Sequence, residues 1–274
     1  MSLFLENSFP LNNYISISKK IQKIPLFFIH FLPIDNFKNM DKHYKLLPES
    51  NSNIVQREIK YKLIQYGNYV NKNIDYSPVF SKDNFSKSLY HIFYSCSLLH
   101  KHDMSFTLST QPFITCDDTR LPILHDFSYS FYFPSIHMDN LKMYFSSTLL
   151  QNTYISIDIF IITYLLQHPT DCLCHTDTDD IVELFTERRE KIDKKNIYNH
   201  ISYFHNYNSQ QIIQYLLQFK YTWTYYSLCY YFIIQYPDLL KHFSLYESFH
   251  TYIHSSFKER HSDIVQMIHR SLFE

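Results

Sequence analysis

A single glycine, Gly67, serves the whole chain of 274 residues. Loops that cradle phosphates need clustered glycines, because a Cβ keeps the backbone from approaching the ligand. No glycine-rich loop can be written from this sequence. Alanine is absent, while 25 Tyr and 24 Phe bring the aromatic content to 18%. That balance resembles translation from an AT-rich genome, as in a virus or an AT-rich parasite, more than a structural specialisation. A net charge of -1 and a pI near 7.0 supply neither a basic field for nucleic acid nor an acidic tail. At 33.3 kDa the chain can bury a substantial core.

The five cysteines (Cys96, Cys116, Cys172, Cys174 and Cys229) form no disulfide framework, and Met1 to Pro10 has no secretory pattern. Both point to a reducing, intracellular setting, with the host cytoplasm as the expected compartment. The longest apolar run, Ile155 to Leu166, is interrupted by Asp158 and falls short of the roughly 20 residues that cross a bilayer. No membrane association is expected.

Asp83 to His100 carries apolar residues at Phe85, Leu89, Ile92, Phe93, Cys96 and Leu99. That 3-and-4 spacing predicts a helix with one buried face, capped by Ser81 or Asp83. Tyr154 to Gln167 predicts an apolar helix stopped by Pro169, in which Asp158 is either a buried polar anchor or solvent-facing. Ile24 to Leu32 reads as a strand closed by Pro33, preceded by a solvated basic patch of Lys19, Lys20 and Lys23. Cys172, Cys174 and His175 lack the paired spacing of a zinc site and read as a polar loop, with the following aspartates capping a helix over Ile181 to Lys191.

The stretch Leu98 to Phe133 brings a family into view. Protein kinases place H-R-D-L-x-x-x-N after a helix, then two short strands, then D-F-G. Here Met104 to Pro112 puts Leu108 on the motif's Leu, Thr107 on the catalytic Asp and Pro112 on the metal-binding Asn. Phe113 to Cys116 and Leu121 to Leu124 read as the two strands, and His125-Asp126-Phe127-Ser128 falls where D-F-G belongs. An ordinary hairpin would account for H-D-F alone. Tyr221-Thr222-Trp223-Thr224-Tyr225-Tyr226-Ser227-Leu228 resembles the T-W-D-x-Y-S-L start of the central large-lobe helix in divergent kinases of large DNA viruses. There the Asp anchors the catalytic loop from below, and Thr224 in its place implies a weakened anchor. Phe257 to Asp263 resembles the N-P-x-x-R-x-S/T turn before the last kinase helix, with Arg260 on the structural Arg and Ser262 as cap.

The resemblance implies an α+β, protein kinase-like two-lobed fold, with a reduced N-lobe over residues 1–66 and a mainly helical C-lobe over 67–274. Ile59 to Val70 would supply the strand and hinge that join the lobes, with Gly67 as the hinge residue. Pro134 to Gln151 would be the activation segment, without A-P-E. Thr107 and Pro112 are degenerate catalytic positions, Asp126 is the one metal-ligating residue retained, and Trp223 and Arg260 are structural. The implied protein is a pseudokinase with no cofactor, working as a scaffold or decoy that binds a host or viral protein through a Tyr-rich surface over Tyr198 to Tyr207. Two alternatives stand beside it: a helical interaction module unrelated to kinases, and a kinase-like protein that still binds ATP and Mg through Asp126 and a slot near Gly67.

Overall fold

The structure is a computed structural model that describes residues 2–6, 9–25, 30–31, 34–40, 61–66, 74–75, 80–108, 112–116, 121–125, 127, 129–260 and 263–274. It is mixed helix and strand, and mostly helical. Near the start, β1 (Ser2–Glu6), β2 (Ile34–Met40) and β3 (Tyr61–Tyr66) make an antiparallel sheet in the order β1-β3-β2. Ile64 lies opposite Leu3 on one side and Phe37 on the other. The helix α1 (Phe9–Ile21) runs between β1 and β2 and packs against β2. Lys19 and Lys20 lie in its last turn, so the basic patch belongs to a helix end, where cations favour the dipole. The residues 22–25 that follow are turns, Phe31 forms a bridge parallel to Leu124, and the rest of the Ile24 to Leu32 run expected as a strand lies largely outside the described residues.

The helix α2 (Phe85–Lys101) buries the six apolar residues that its spacing singles out. Each such side chain contributes about 1.5–3 kcal/mol. Asn84, rather than Ser81 or Asp83, occupies the cap position, and its Oδ1 accepts the Ser81 N–H at 2.8 Å. A second sheet joins β4 (Ile74–Asp75), β6 (Phe113–Cys116) and β7 (Pro122–Leu124), with Phe113 opposite Leu124. Between α2 and β6, the short β5 (Met104–Ser105) pairs antiparallel with β8 (Phe131–Tyr132).

Beyond β8, residues 133–151 form short turns of 3-10 helix around α3 (Leu141–Tyr144). Then come α4 (Ile157–Gln167), α5 (His175–Thr186), α6 (Lys194–Ser202), α7 (Ser209–Leu216), α8 (Trp223–Gln235), α9 (Pro237–His242), α10 (Tyr246–His254) and α11 (Ile264–Phe273). Two of these are wrapped on all sides. Every residue from Ile157 to Leu165 of α4, and from Trp223 to Ile233 of α8, is buried. A helix apolar all round belongs in the interior; α2, α9 and α10 pack on α8, and α3, α5 and α7 on α4, while α6 packs on α5 and α11 on α2. Trp223 is held edge-on by Phe131, Phe133 and Phe145 at centroid distances of 5.8, 6.2 and 6.0 Å. Ser156 caps α4 by accepting the Ile159 N–H.

The helix expected over Ile181 to Lys191 begins earlier, at His175, and ends at Thr186. Its start is fixed by Asp177, whose carboxylate accepts the Cys174 N–H at 2.9 Å, so the acidic run lies inside the helix rather than ahead of it. Among the described residues no helix is long and apolar enough to cross a membrane.

Candidate functional site

The residues aligned with the kinase catalytic segment fall between α2 and the β6–β7 pair. Phe106, Thr107 and Leu108 leave β5 as buried backbone, with Thr107 only 2% exposed. Two side chains from distant helical regions hold this segment. The Phe106 N–H donates to Thr224 Oγ1 at 3.0 Å, and the Leu108 carbonyl accepts Asn152 Nδ2 at 2.8 Å. Thr224 also contacts His100 Nε2 at 3.2 Å. Burial pushes the His100 imidazole down to about 4, so the ring is neutral at physiological pH. Thr224 Oγ1 thus serves two partners, accepting the Phe106 N–H and sharing a hydrogen bond with His100 Nε2 whose direction follows the imidazole tautomer. The neutral threonine therefore makes a backbone contact of the kind the resemblance assigns to a carboxylate, with His100 as its second partner. Nothing in the periodicity of α2 marks His100, which lies one residue from the helix end.

Pro112 is buried, and its carbonyl accepts the His125 N–H at 3.2 Å across the hairpin. Phe127 is fully buried and meets Phe106 edge-on at 5.3 Å and Phe31 at 6.2 Å. Through these rings the segment after β7, the segment after β5 and the Phe31 bridge share one apolar contact. Asp126, Ser128 and Gly67 lie outside the described residues, as do 109–111 and Ser262. Phe106, next to Thr107, thus packs on Phe127, while Pro112 is tied to His125 two residues before that ring.

Arg260 sits apart from that cluster, in the turn before α11. Its Nη1 pairs with Asp158 Oδ2 of α4 at 2.5 Å, with both side chains fully buried. Its Nε donates to the Ser255 carbonyl, and the guanidinium lies 4.7 Å from the Tyr226 ring centroid. Asp158 is accordingly the buried anchor, and an aspartate interrupting an apolar run was the signal that it needed a partner. Burial pushes the Tyr226 phenol up to about 12, against the pull of Arg260 and Arg189. Arg189, unmarked in the sequence, spans Phe185 O at 2.6 Å and Asn152 O at 2.7 Å, so it fixes the residue that holds Leu108.

On the surface, Tyr203 and Tyr207 are 52% and 43% exposed and stack at 6.4 Å. The Lys258 ammonium lies 5.4 Å from the Tyr203 centroid and 5.8 Å from that of Tyr215. The rest of the Tyr-rich segment is less available: Phe204 is buried, and the Tyr198 hydroxyl bonds His175 Nδ1 at 2.9 Å. No group of three or more His, Cys, Asp or Glu side chains that could hold a metal occurs among the described residues. No family model and no curated protein matches the chain.

Proposed function

We propose that the chain is a degenerate protein kinase-like protein, a pseudokinase of two-lobed design, that acts by binding a host or viral protein. The observation that carries this reading is the bond from the Phe106 N–H to Thr224 Oγ1. In the divergent viral kinases that the sequence resembles, the residue matching Thr224 holds the catalytic loop from below, and the bond joins two of the three segments on which the resemblance rests. The short paired strands β6 and β7 after Pro112 also agree with it, as does the buried Arg260 before the last helix.

Phosphoryl transfer depends on positioning and charge stabilisation, so a catalytic constellation without its groups has little to offer. Thr107 brings no carboxylate to accept a substrate proton, and Pro112 has no side-chain oxygen for a metal. What the fold still presents is surface. Tyr203 and Tyr207 expose aromatic area at low entropic cost beside the Lys258 ammonium, a composition suited to a protein interface.

The test has two arms. Purified protein with Mg and ATP is expected to leave a generic protein substrate unphosphorylated and to show no rise in melting temperature. Micromolar affinity at millimolar ATP would stabilise the fold by about 4 kcal/mol, a shift too large to miss. A shift lost in Asp126→Asn would return ATP and Mg to the site. In a pull-down from infected or host cells, a partner retained by wild type and by Asp126→Ala but lost by Tyr203→Ala plus Tyr207→Ala supports the scaffold. A partner lost only with Asp126→Ala points to the nucleotide cleft, and no partner in any arm removes the support for binding.

A further inference from the structure

Two histidines face each other in the last turns of α10. The His250 and His254 rings lie 4.3 Å apart, and both nitrogens of His254 have backbone partners. Its Nδ1 lies 2.9 Å from the His250 carbonyl oxygen, and its Nε2 accepts the Asp193 N–H at 3.2 Å. A carbonyl oxygen accepts and an amide N–H donates, so these two partners fix one form of the ring. It is neutral, with the Nδ1 proton donated to His250 and a bare Nε2 turned to Asp193.

Asp193 is also the cap of α6. Its Oδ1 accepts the Lys195 N–H at 2.9 Å, and its carbonyl accepts the Ile197 N–H at 3.0 Å. One residue thus ties α6 to α10 through its amide and starts α6 with its carboxylate, and the amide tie holds only while His254 is neutral. A proton on Nε2 makes that atom a donor aimed at a donor. The imidazolium loses the amide and draws the Asp193 carboxylate toward itself, at the expense of the Lys195 bond.

We propose that His254 and Asp193 form a proton-operated clasp between α10 and α6, closed with α6 capped while the imidazole is neutral, and open with the amide tie broken and α6 uncapped once it is protonated. The surroundings set the direction of the response. Burial holds the His254 imidazole below its ordinary 6.5; the His250 carbonyl and the Asp193 carboxylate favour a charge there, while the His250 ring and the Arg260 guanidinium oppose it. His200 of α6 faces the same ring, and burial holds it down to about 4. Packed along α10, α8 brings Tyr225 and Cys229, whose protons burial holds on far above this range, and α9 sets Lys241 against Tyr246 at the other end of α10. Lys194 and Lys195, next to Asp193, are exposed. The folded chain therefore takes the proton less readily than the unfolded one, so the clasp is fully closed above pH 6.5 and opens as pH falls through the lower folded value. Opening is local, because Lys191 Nζ still donates to the Ile233 carbonyl and the Tyr230 hydroxyl to the Glu190 carbonyl.

The experiment follows the full chain, labelled with nitrogen-15, by NMR from about pH 8 to about pH 5. At the upper end His254 is expected to carry its proton on Nδ1. On acidification its titration and an about fivefold loss of exchange protection at the Lys195 amide, corrected for the intrinsic pH dependence of exchange, are expected to share one midpoint below 6.5. Asp193→Asn keeps a capping oxygen without the charge and is expected to lower the His254 midpoint. His254→Gln keeps an acceptor that takes no proton and is expected to hold the Lys195 protection constant. A His254 proton on Nε2 at the upper end, a titration that leaves Lys195 unchanged, or the same loss of protection in His254→Gln would overturn the proposal. Should that variant fail to fold, the tautomer and the shared midpoint in the wild-type chain decide alone.

Discussion

Thr224 stands where the resemblance expects a carboxylate. The exchange implies a weakened anchor, and what the hydroxyl retains is one bond from the Phe106 N–H and one with His100 Nε2, each weaker than a carboxylate would make. Replacing Thr224 by Val keeps the shape and leaves the buried Phe106 N–H without an acceptor, so it is expected to cost about 1–3 kcal/mol in urea unfolding, while Thr224→Ser costs less. Residue types also had to cover for missing glycine. Asp103, Lys191, Asn206 and Ser244 take positive φ, with Ser244 at 57°. An L-residue there costs about 1–2 kcal/mol, of which glycine's extra chain entropy returns about 0.5–1. Ser244 is exposed, so Ser244→Gly is expected to raise stability by up to about 1 kcal/mol, read as a higher urea midpoint at unchanged slope. A glycine-poor composition announces that such positions exist, but where they fall depends on how each helix ends.

Among the elements, α2 was legible because half of it faces water, and a one-sided helix writes its period into the sequence. The fully buried α4 and α8 have no such period. Trp223 marked the start of α8 through resemblance, and the ends of α4 and α5 moved because Ser156 and Asp177 make their capping bonds at positions hydrophobicity does not reveal. The contact between α2 and α8 has a titratable group in it. His100 packs edge-on against Tyr225 at 4.8 Å, and burial holds its imidazole at about 4 against an ordinary 6.5. Between these values the unfolded chain takes up a proton that the folded chain refuses. The contribution of this site to stability is therefore whole above pH 6.5, falls as pH drops toward 4, and is lost below it, a change on the order of 3 kcal/mol. His100→Gln keeps a partner for Thr224 and removes the titration. The variant is expected to lose less stability than wild type between pH 6.5 and 4; because His30, His200 and His254 are also held down by burial, the difference between the two urea midpoints is the quantity to follow.

At the scale of the molecule, the mixed and mainly helical make-up was legible, while the ties between distant segments were not, since no local pattern encodes a contact 102 residues away. Asp158 and Arg260 form such a tie, joining the interior of α4 to the turn before α11 with neither side chain reaching water. A buried ion pair is weak evidence of net stability, because desolvating two charges offsets most of their attraction, but a half-broken pair is severe. Asp158→Leu leaves the Arg260 guanidinium buried with Ser255 O and the Tyr226 and Phe257 rings for company, and is expected to cost about 3–5 kcal/mol. Adding Arg260→Met removes the stranded charge while keeping a long apolar side chain between the same rings. The double variant is therefore expected to be more stable than Asp158→Leu alone. A double variant as unstable as the single one, in the same urea titration, would mean that the pair's bonds rather than its unmatched charge hold α4 to the last turn, and that the ion pair itself is a net source of stability.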